Sequence, residues 1–114
     1  MSDCIFCKIV DGQIPAQKVF ENDYVVAFKD LNPVAPVHVL VIPKKHIATI
    51  NAIEPGDAEV IGQMYLAAKQ IAAENGLSDR GYRTVMNCNE DAGQTVFHIH
   101  LHLLGGQSMG WPPF

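Results

Sequence analysis

The chain has 114 residues, a net charge of −4 and a charged fraction of only 18%. That length fits one domain, 1–114, with a sizeable core and about two thirds of its surface buried. The acidic balance argues against electrostatic binding of nucleic acid, and no apolar run of about 18 residues is present to span a membrane. All Asp, Glu, Lys and Arg residues lie within positions 1–91, so the stretch from Ala92 to Phe114 is uncharged. Three cysteines, an odd number, argue against a secreted disulfide framework. Met1-Ser2-Asp3-Cys4 lacks the basic and apolar regions of a signal peptide, so a cytoplasmic location is expected.

Ile5 to Val10 reads as a single helical turn before Asp11-Gly12. Lys18-Val19-Phe20 and Tyr24 to Phe28, separated by Glu21-Asn22-Asp23, predict a hairpin. Leu31 to Pro36 holds two prolines and is expected to be a loop. Val37 to Ile42 is an almost wholly apolar strand, expected at the centre of a sheet and stopped by Pro43. A long helix is predicted over 55–75. Pro55 suits its first position, Asp57 and Glu59 its positive end, and Gly76 its C-terminal cap. Ile61, Met64, Ala68, Ile71 and Ala72 recur at helical spacing. Ala67, Ala68, Ala72 and Ala73 give its C-terminal half a small surface, a hint of contact with both its own sheet and a partner subunit. Tyr82 to Asn87 is a further strand, Asn89 to Gln94 a loop, and Val96 to Leu104 the last strand. Strands, a long helix and strands again indicate an α+β fold with a largely antiparallel sheet.

The last strand carries the chemistry. Alternation along a strand puts His98, His100 and His102 on one face and Ile99, Leu101 and Leu103 on the other, in the core. Three readings are open for such a face: a solvated strand, a metal site using His-x-His ligands, or nucleophilic and acid–base chemistry near neutral pH.

His98-Ile99-His100-Leu101-His102-Leu103-Leu104 resembles the histidine-triad (HIT) motif. With Ile5-Phe6, Ile14-Pro15, Phe28-Lys29-Asp30, Val41-Ile42-Pro43-Lys44-Lys45-His46, Gly93-Gln94, Leu104-Gly105-Gly106 and Trp111-Pro112-Pro113, the resemblance covers almost the whole chain. It points to the branch of histidine-triad nucleotide-binding proteins (Hint). The resemblance implies an antiparallel sheet of about five strands with one long and one short N-terminal helix, a C-terminal tail over 105–114, and a homodimer. It implies hydrolysis of the P–N bond of purine nucleoside 5′-phosphoramidates of the AMP-amide or AMP-lysine type, with acyl-adenylates as further substrates. The intermediate would be a nucleotidyl-histidine on His100, which a neutral imidazole can form at pH 7.

By the same mapping Asn87, Gly93, Gln94, Thr95 and His102 meet the phosphate, with Thr95 and His102 assisting catalysis. Asp30 binds the ribose, and Phe6, Ile9, Phe28 and Leu31 line the base pocket. Read without the family, the apolar four are equally ordinary core, Asp30 a turn residue and Thr95 a strand residue. Trp111 is either an exposed tail residue or, as the branch implies, part of a segment reaching toward the partner's site. Some relatives have a histidine where this chain has Gly110. No Lys or Arg accompanies the phosphate-facing residues, so turnover without Mg²⁺ is expected. Hydrolysis of dinucleoside polyphosphates, as in other HIT branches, and a non-catalytic nucleotide-binding role are the alternatives.

Cys4-Ile5-Phe6-Cys7 is a CxxC pair, too few ligands alone for a tetrahedral zinc site. The resemblance supplies a completion, in which His46 and His98 join the cysteines in a structural site. The alternative is a pair of inert buried cysteines. Cys88 is read as a plain strand-end residue, and His38, within an apolar strand, as structural.

Overall fold

The computed structural model describes residues 3–114. A short helix, α1 (Ile5–Val10), begins at Cys4, whose Sγ accepts from the Cys7 N–H at 3.4 Å. β1 (Lys18–Glu21) and β2 (Val25–Lys29) form the expected hairpin. Asn22 closes it, its Oδ1 accepting from the N–H groups of Tyr24 and Val25 at 2.8 and 3.0 Å. After the proline-bearing loop comes β3 (Val37–Pro43). A 3-10 turn over Pro55–Asp57 leads into α2 (Ala58–Glu74), so the predicted first turn of the helix is tighter than α-helical. β4 (Tyr82–Val85) ends two residues short of the expected Asn87, and β5 (Leu101–Gly105) is last.

The sheet is antiparallel throughout, in the order β1-β2-β3-β5-β4, which puts β3 at its centre. Its two faces bury two separate clusters. Val25, Ala27, Val39, Val41, Leu101 and Leu103 face Met64, Ala67, Ala68, Ile71 and Ala72 of α2. Val26, Phe28, Leu40 and Ile42 face Phe6 and Ile9 of α1. Alternation explains the division. Truncating a fully buried residue such as Leu101 or Leu103 would cost about 2–5 kcal/mol. Of the four alanines in the C-terminal half of α2, Ala67, Ala68 and Ala72 are buried by the chain's own sheet and Ala73 is exposed. The outward face of that helix presents Tyr65 and Leu66 instead.

The last strand is shorter than its pattern suggests. The β3–β5 ladder runs from Val37↔Gly105 to Val41↔Leu101 and stops there. Continuing it would need an N–H from Pro43, which has none. The Pro43 carbonyl is taken instead by the His98 ring, at 2.8 Å from Nε2, and the Ile99 N–H goes to the Ile47 carbonyl at 2.7 Å. Residues 96–100 therefore leave the sheet. Ile99 stays buried as expected, but His98 and His100 are buried too, and only His102 keeps a true strand position. The tail departs after Gly105. Gly106 has φ +95°, and a Cβ there would sit 2.8 Å from Pro36, so glycine is required where the tail crosses the proline loop.

Among the described residues, no helix is long and apolar enough to cross a membrane.

Candidate active site

The three triad histidines are held in three different ways. His98 is fully buried and donates from Nε2 to the Pro43 carbonyl, which leaves Nδ1 unprotonated. Burial pushes its pKa down, and the bond to Pro43 opposes that. His100 donates from Nδ1 to the His98 carbonyl at 2.9 Å, so its Nε2 keeps the lone pair. His102 lies with its ring centroid 5.1 Å from that of His100. Burial, then the neighbouring His100 and His38, push the His102 pKa down to about 4 against the pull of Asp30. His102 is neutral at pH 7.

His38, read from sequence as structural, belongs to this group. The Val34 N–H donates to its Nδ1 at 3.1 Å, so its own proton is on Nε2. That atom lies 2.9 Å from Nδ1 of His102 and 3.3 Å from Oδ2 of Asp30. His102 thus accepts at Nδ1 and carries its proton on Nε2. The signal was present: His38 shares strand parity with Leu40, and Leu40 pairs with His102. Asp30, His38 and His102 also form a compact trio of potential metal ligands. The Val34 bond argues against that use, because it keeps a proton on the His38 nitrogen that would have to bind.

Asp30 does both things its position allows. Its Oδ1 accepts from the Asn32 N–H at 2.8 Å in a turn, while Oδ2 faces His38. Phe6, Ile9 and Phe28 are buried together in one apolar cluster. Phe6 meets His100, Phe28 and His98 edge-on at 5.1, 5.7 and 5.9 Å between centroids. Leu31 is not in this cluster and is 92% exposed at the loop tip.

Gln94 corrects its expected role. Both hydrogens of its amide are committed, to the carbonyls of Ala48 and Val96, and its Oε1 accepts from the Asn89 N–H. It locks the loop rather than offering a phosphate donor. Gly93 sits at φ +85°, ending the turn Glu90–Ala92, a conformation suited to glycine. Asn87 is half-buried at the start of this loop. Thr95 is exposed and lines a cavity of about 470 Å³ with Asp3, Cys4, Ile5, His46, Val96 and Phe97. Trp111 is 81% exposed. Arg83 ties down its segment, donating to the Gly110 carbonyl at 2.9 Å with its guanidinium carbon 5.9 Å from the indole centroid.

Cys4, Cys7, His46 and His98 converge, with all four donor atoms within 4.8 Å of one another. Nδ1 of His98 lies 3.2 Å from Nδ1 of His46 and 3.4 and 3.5 Å from the sulfurs of Cys4 and Cys7. The Cys7 sulfur is 3.2 Å from His46. Tetrahedral zinc, with bonds of ~2.0–2.1 Å to nitrogen and ~2.3 Å to sulfur, requires ligand separations of roughly 3.3–3.8 Å. The donor set fits, and His98 turns its unprotonated nitrogen toward the centre.

The family model described as "Scavenger mRNA decapping enzyme C-term binding" matches residues 3–111. An uncharacterized HIT-like protein of Synechocystis is 50% identical over 111 residues, covering 97% of this chain and 96% of the relative. The purine nucleoside phosphoramidase of Escherichia coli is 43% identical over 108 residues, covering 95% and 91%. The crystal structure of a HIT family hydrolase from Legionella pneumophila superposes with a TM-score of 0.96 at 54% identity, covering 98% of this chain and all of that one.

Proposed function

The chain belongs to the histidine-triad superfamily, in its Hint-like branch, and on that premise we propose that it is a nucleotide hydrolase cleaving the P–N bond of purine nucleoside 5′-phosphoramidates. The observation that carries this reading is the pair of oriented imidazoles. His100 is anchored at Nδ1 and has its Nε2 lone pair available, beside a His102 whose proton is held on Nε2.

Nε2 of His100 attacks the α-phosphorus, the P–N bond breaks, and the amine leaves with a proton taken from solvent. The Nδ1–H of His100 remains on the His98 carbonyl and steadies the cationic nucleotidyl-imidazole. Water then attacks the same phosphorus, the bond to Nε2 of His100 breaks, the nucleoside monophosphate leaves, and a proton of the water returns to solvent, restoring His100. Dividing the reaction in this way replaces one hard step by two easier ones. His102 donates from Nε2 to a phosphoryl oxygen, a dipole already aimed in a site where His100 is only 8% exposed. These donors need no Mg²⁺. Asn87, Thr95 and the Gly93 turn would border the phosphate, and Asp30 would meet the ribose. The similarity to the E. coli phosphoramidase supports the P–N bond over a dinucleoside polyphosphate.

Cys4, Cys7, His46 and His98 would hold a structural zinc ion, which cross-links α1 to the segment before β5. A second copy of the chain would cover the exposed Tyr65 and Leu66 of α2 and the outer edge of β4, giving a homodimer in sedimentation.

The test is to mix the protein with adenosine 5′-phosphoramidate and quench early. A nucleoside-monophosphate adduct on His100 is expected by peptide mass spectrometry. In His100→Ala both adduct and turnover should vanish, a loss of at least about a thousandfold, while AMP still binds. Turnover preserved in that variant would reject the nucleophile. Faster turnover of a diadenosine polyphosphate would move the chain to another branch activity.

A further inference from the structure

We propose that Cys4 and Cys7 form an oxidation site through which a peroxide switches off His100. The proposal rests on the reading of His100 as nucleophile.

Access comes first. The cavity of about 470 Å³ is lined by Cys4 and His46, and Cys4 is only half-buried, so this is where a small oxidant would enter. Pairing comes next. The two cysteines lie across one turn, with the Lys8 N–H on the Cys4 carbonyl and the Cys7 N–H on the Cys4 sulfur. Residues three apart on a helix have Cβ atoms about 5–6 Å apart, and a disulfide needs roughly 3.5–4.5 Å. Cys4 is the extended N-cap, with φ −73° and ψ 118°. Its carbonyl is held by the Lys8 N–H, so the small inward shift is made by rotation of its side chain.

Transmission follows from His98. Its ring nitrogen Nδ1 faces both sulfurs, and its backbone carbonyl holds the Nδ1–H of His100. Phe6, between the two cysteines in sequence, touches both His98 and His100 edge-on. Residues 96–100 have no sheet ladder to hold them and are fixed by a few separate bonds, from Gln94 to the Val96 carbonyl, from the His98 ring to Pro43, from the His100 ring to the His98 carbonyl and from the Ile99 N–H to Ile47. Drawing the sulfurs together removes two anionic ligands from the quartet. It also displaces Phe6 and His98 and misaligns His100 through both contacts. His98 is on this account a positioning residue.

The chemistry balances. The Cys4 thiolate attacks one peroxide oxygen, the O–O bond breaks, and a sulfenic acid and hydroxide form. The Cys7 thiolate attacks the sulfenic sulfur, the S–S bond forms and the second hydroxide leaves. Two electrons pass from the thiolates to the peroxide, and two solvent protons turn the hydroxides into water. Zinc, if bound, is released, because a disulfide is not a thiolate ligand.

The test uses the full chain carrying Cys88→Ser, loaded with zinc and treated with hydrogen peroxide. Four readouts are followed: intact mass, zinc released to a chromogenic chelator, the His100 imidazole signal in a ¹H–¹⁵N spectrum, and hydrolysis of adenosine 5′-phosphoramidate. The expected result is loss of two hydrogens, zinc release, a shifted His100 Nδ1–H signal and a rate lower by roughly ten- to a hundredfold. Dithiothreitol with zinc should reverse all four. A disulfide that forms with the His100 signal and rate unchanged overturns the proposal, as does oxidation that stops at sulfinic acid. If reduced protein never hydrolyses the substrate but the His100 signal still responds, the hydrolase reading falls and the switch stands.

Discussion

The Nε2 of His38 sits 2.9 Å from Nδ1 of His102, and the direction of the hydrogen bond between them is set from outside the pair, by the Val34 N–H on the other nitrogen of His38. A backbone donor 68 positions before His102 in the chain thereby decides which nitrogen of His102 carries a proton. His38→Ala is expected to release His102 into both tautomers and lower kcat on the order of a hundredfold, with KM for nucleotide little changed. His38→Gln, which can still donate at the same place, should recover part of the loss. Equal damage in both variants would mean that His38 only fills space.

His102 gives a pH signature. Its folded-state pKa is pushed down to about 4, below the ordinary histidine value of 6.5. The folded state therefore favours the neutral ring. The stability from this group is complete above the ordinary value and falls as pH drops toward 4, where the ring protonates inside the fold. The C2 proton of His102 should titrate near pH 4 by NMR, and His102→Gln should flatten thermal stability between pH 6.5 and 4. A titration near 6.5 would contradict the burial argument.

Asp57 behaves in parallel at lower pH. Its carboxylate accepts from Lys45 at 2.6 Å and from the Glu54 N–H at 2.9 Å. The Lys45 hydrogen bond, then the Glu54 bond, hold its pKa below the usual carboxylate value. Its contribution is present above about pH 4 and disappears as pH falls through the lowered pKa. Asp57→Asn should melt at a lower temperature than the parent at pH 7. The two melting curves should converge as pH falls through the lowered pKa, and a gap that stays constant into acid would rule the ion pair out as the cause.

Trp111 is the only tryptophan, which makes the tail easy to watch. Arg83→Ala removes both the hydrogen bond to Gly110 and the cation over the indole. Fluorescence anisotropy should fall as the tail gains freedom, while stability changes by less than about 1 kcal/mol. Unchanged anisotropy would mean that something other than Arg83 holds Trp111.

Much of this architecture was legible residue by residue. The apolar run of Val37 to Ile42, interrupted by His38 alone, marks a strand buried on both faces, and it is central. Met64, Ala68, Ile71 and Ala72 mark the buried stripe of α2. What could not be read locally depends on distant partners. The strand pattern of Val96 to His100 is cut short by a proline more than fifty positions earlier. His38 looked structural because its partners, Asp30 and His102, meet it only through the register of three strands. The quartet of Cys4, Cys7, His46 and His98 joins three separate stretches of chain, and resemblance alone brought them together in advance. The hold of Gln94 on the loop is hidden in the same way, because the Ala48 carbonyl it binds is nowhere near it in sequence.

Pro43 has a consequence wider than its own position. Antiparallel strands tend to zip onward as long as each residue can answer the next. Here a single missing hydrogen halts the zipper after Leu101, and the carbonyl left over becomes the fixed point around which a histidine turns. A residue with an N–H at 43 would let the neighbouring strands compete for His98 and His100 and recruit them into ordinary fabric. The protein keeps His98 and His100 apart from its sheet by an omission in the backbone, at a residue that need never touch a substrate.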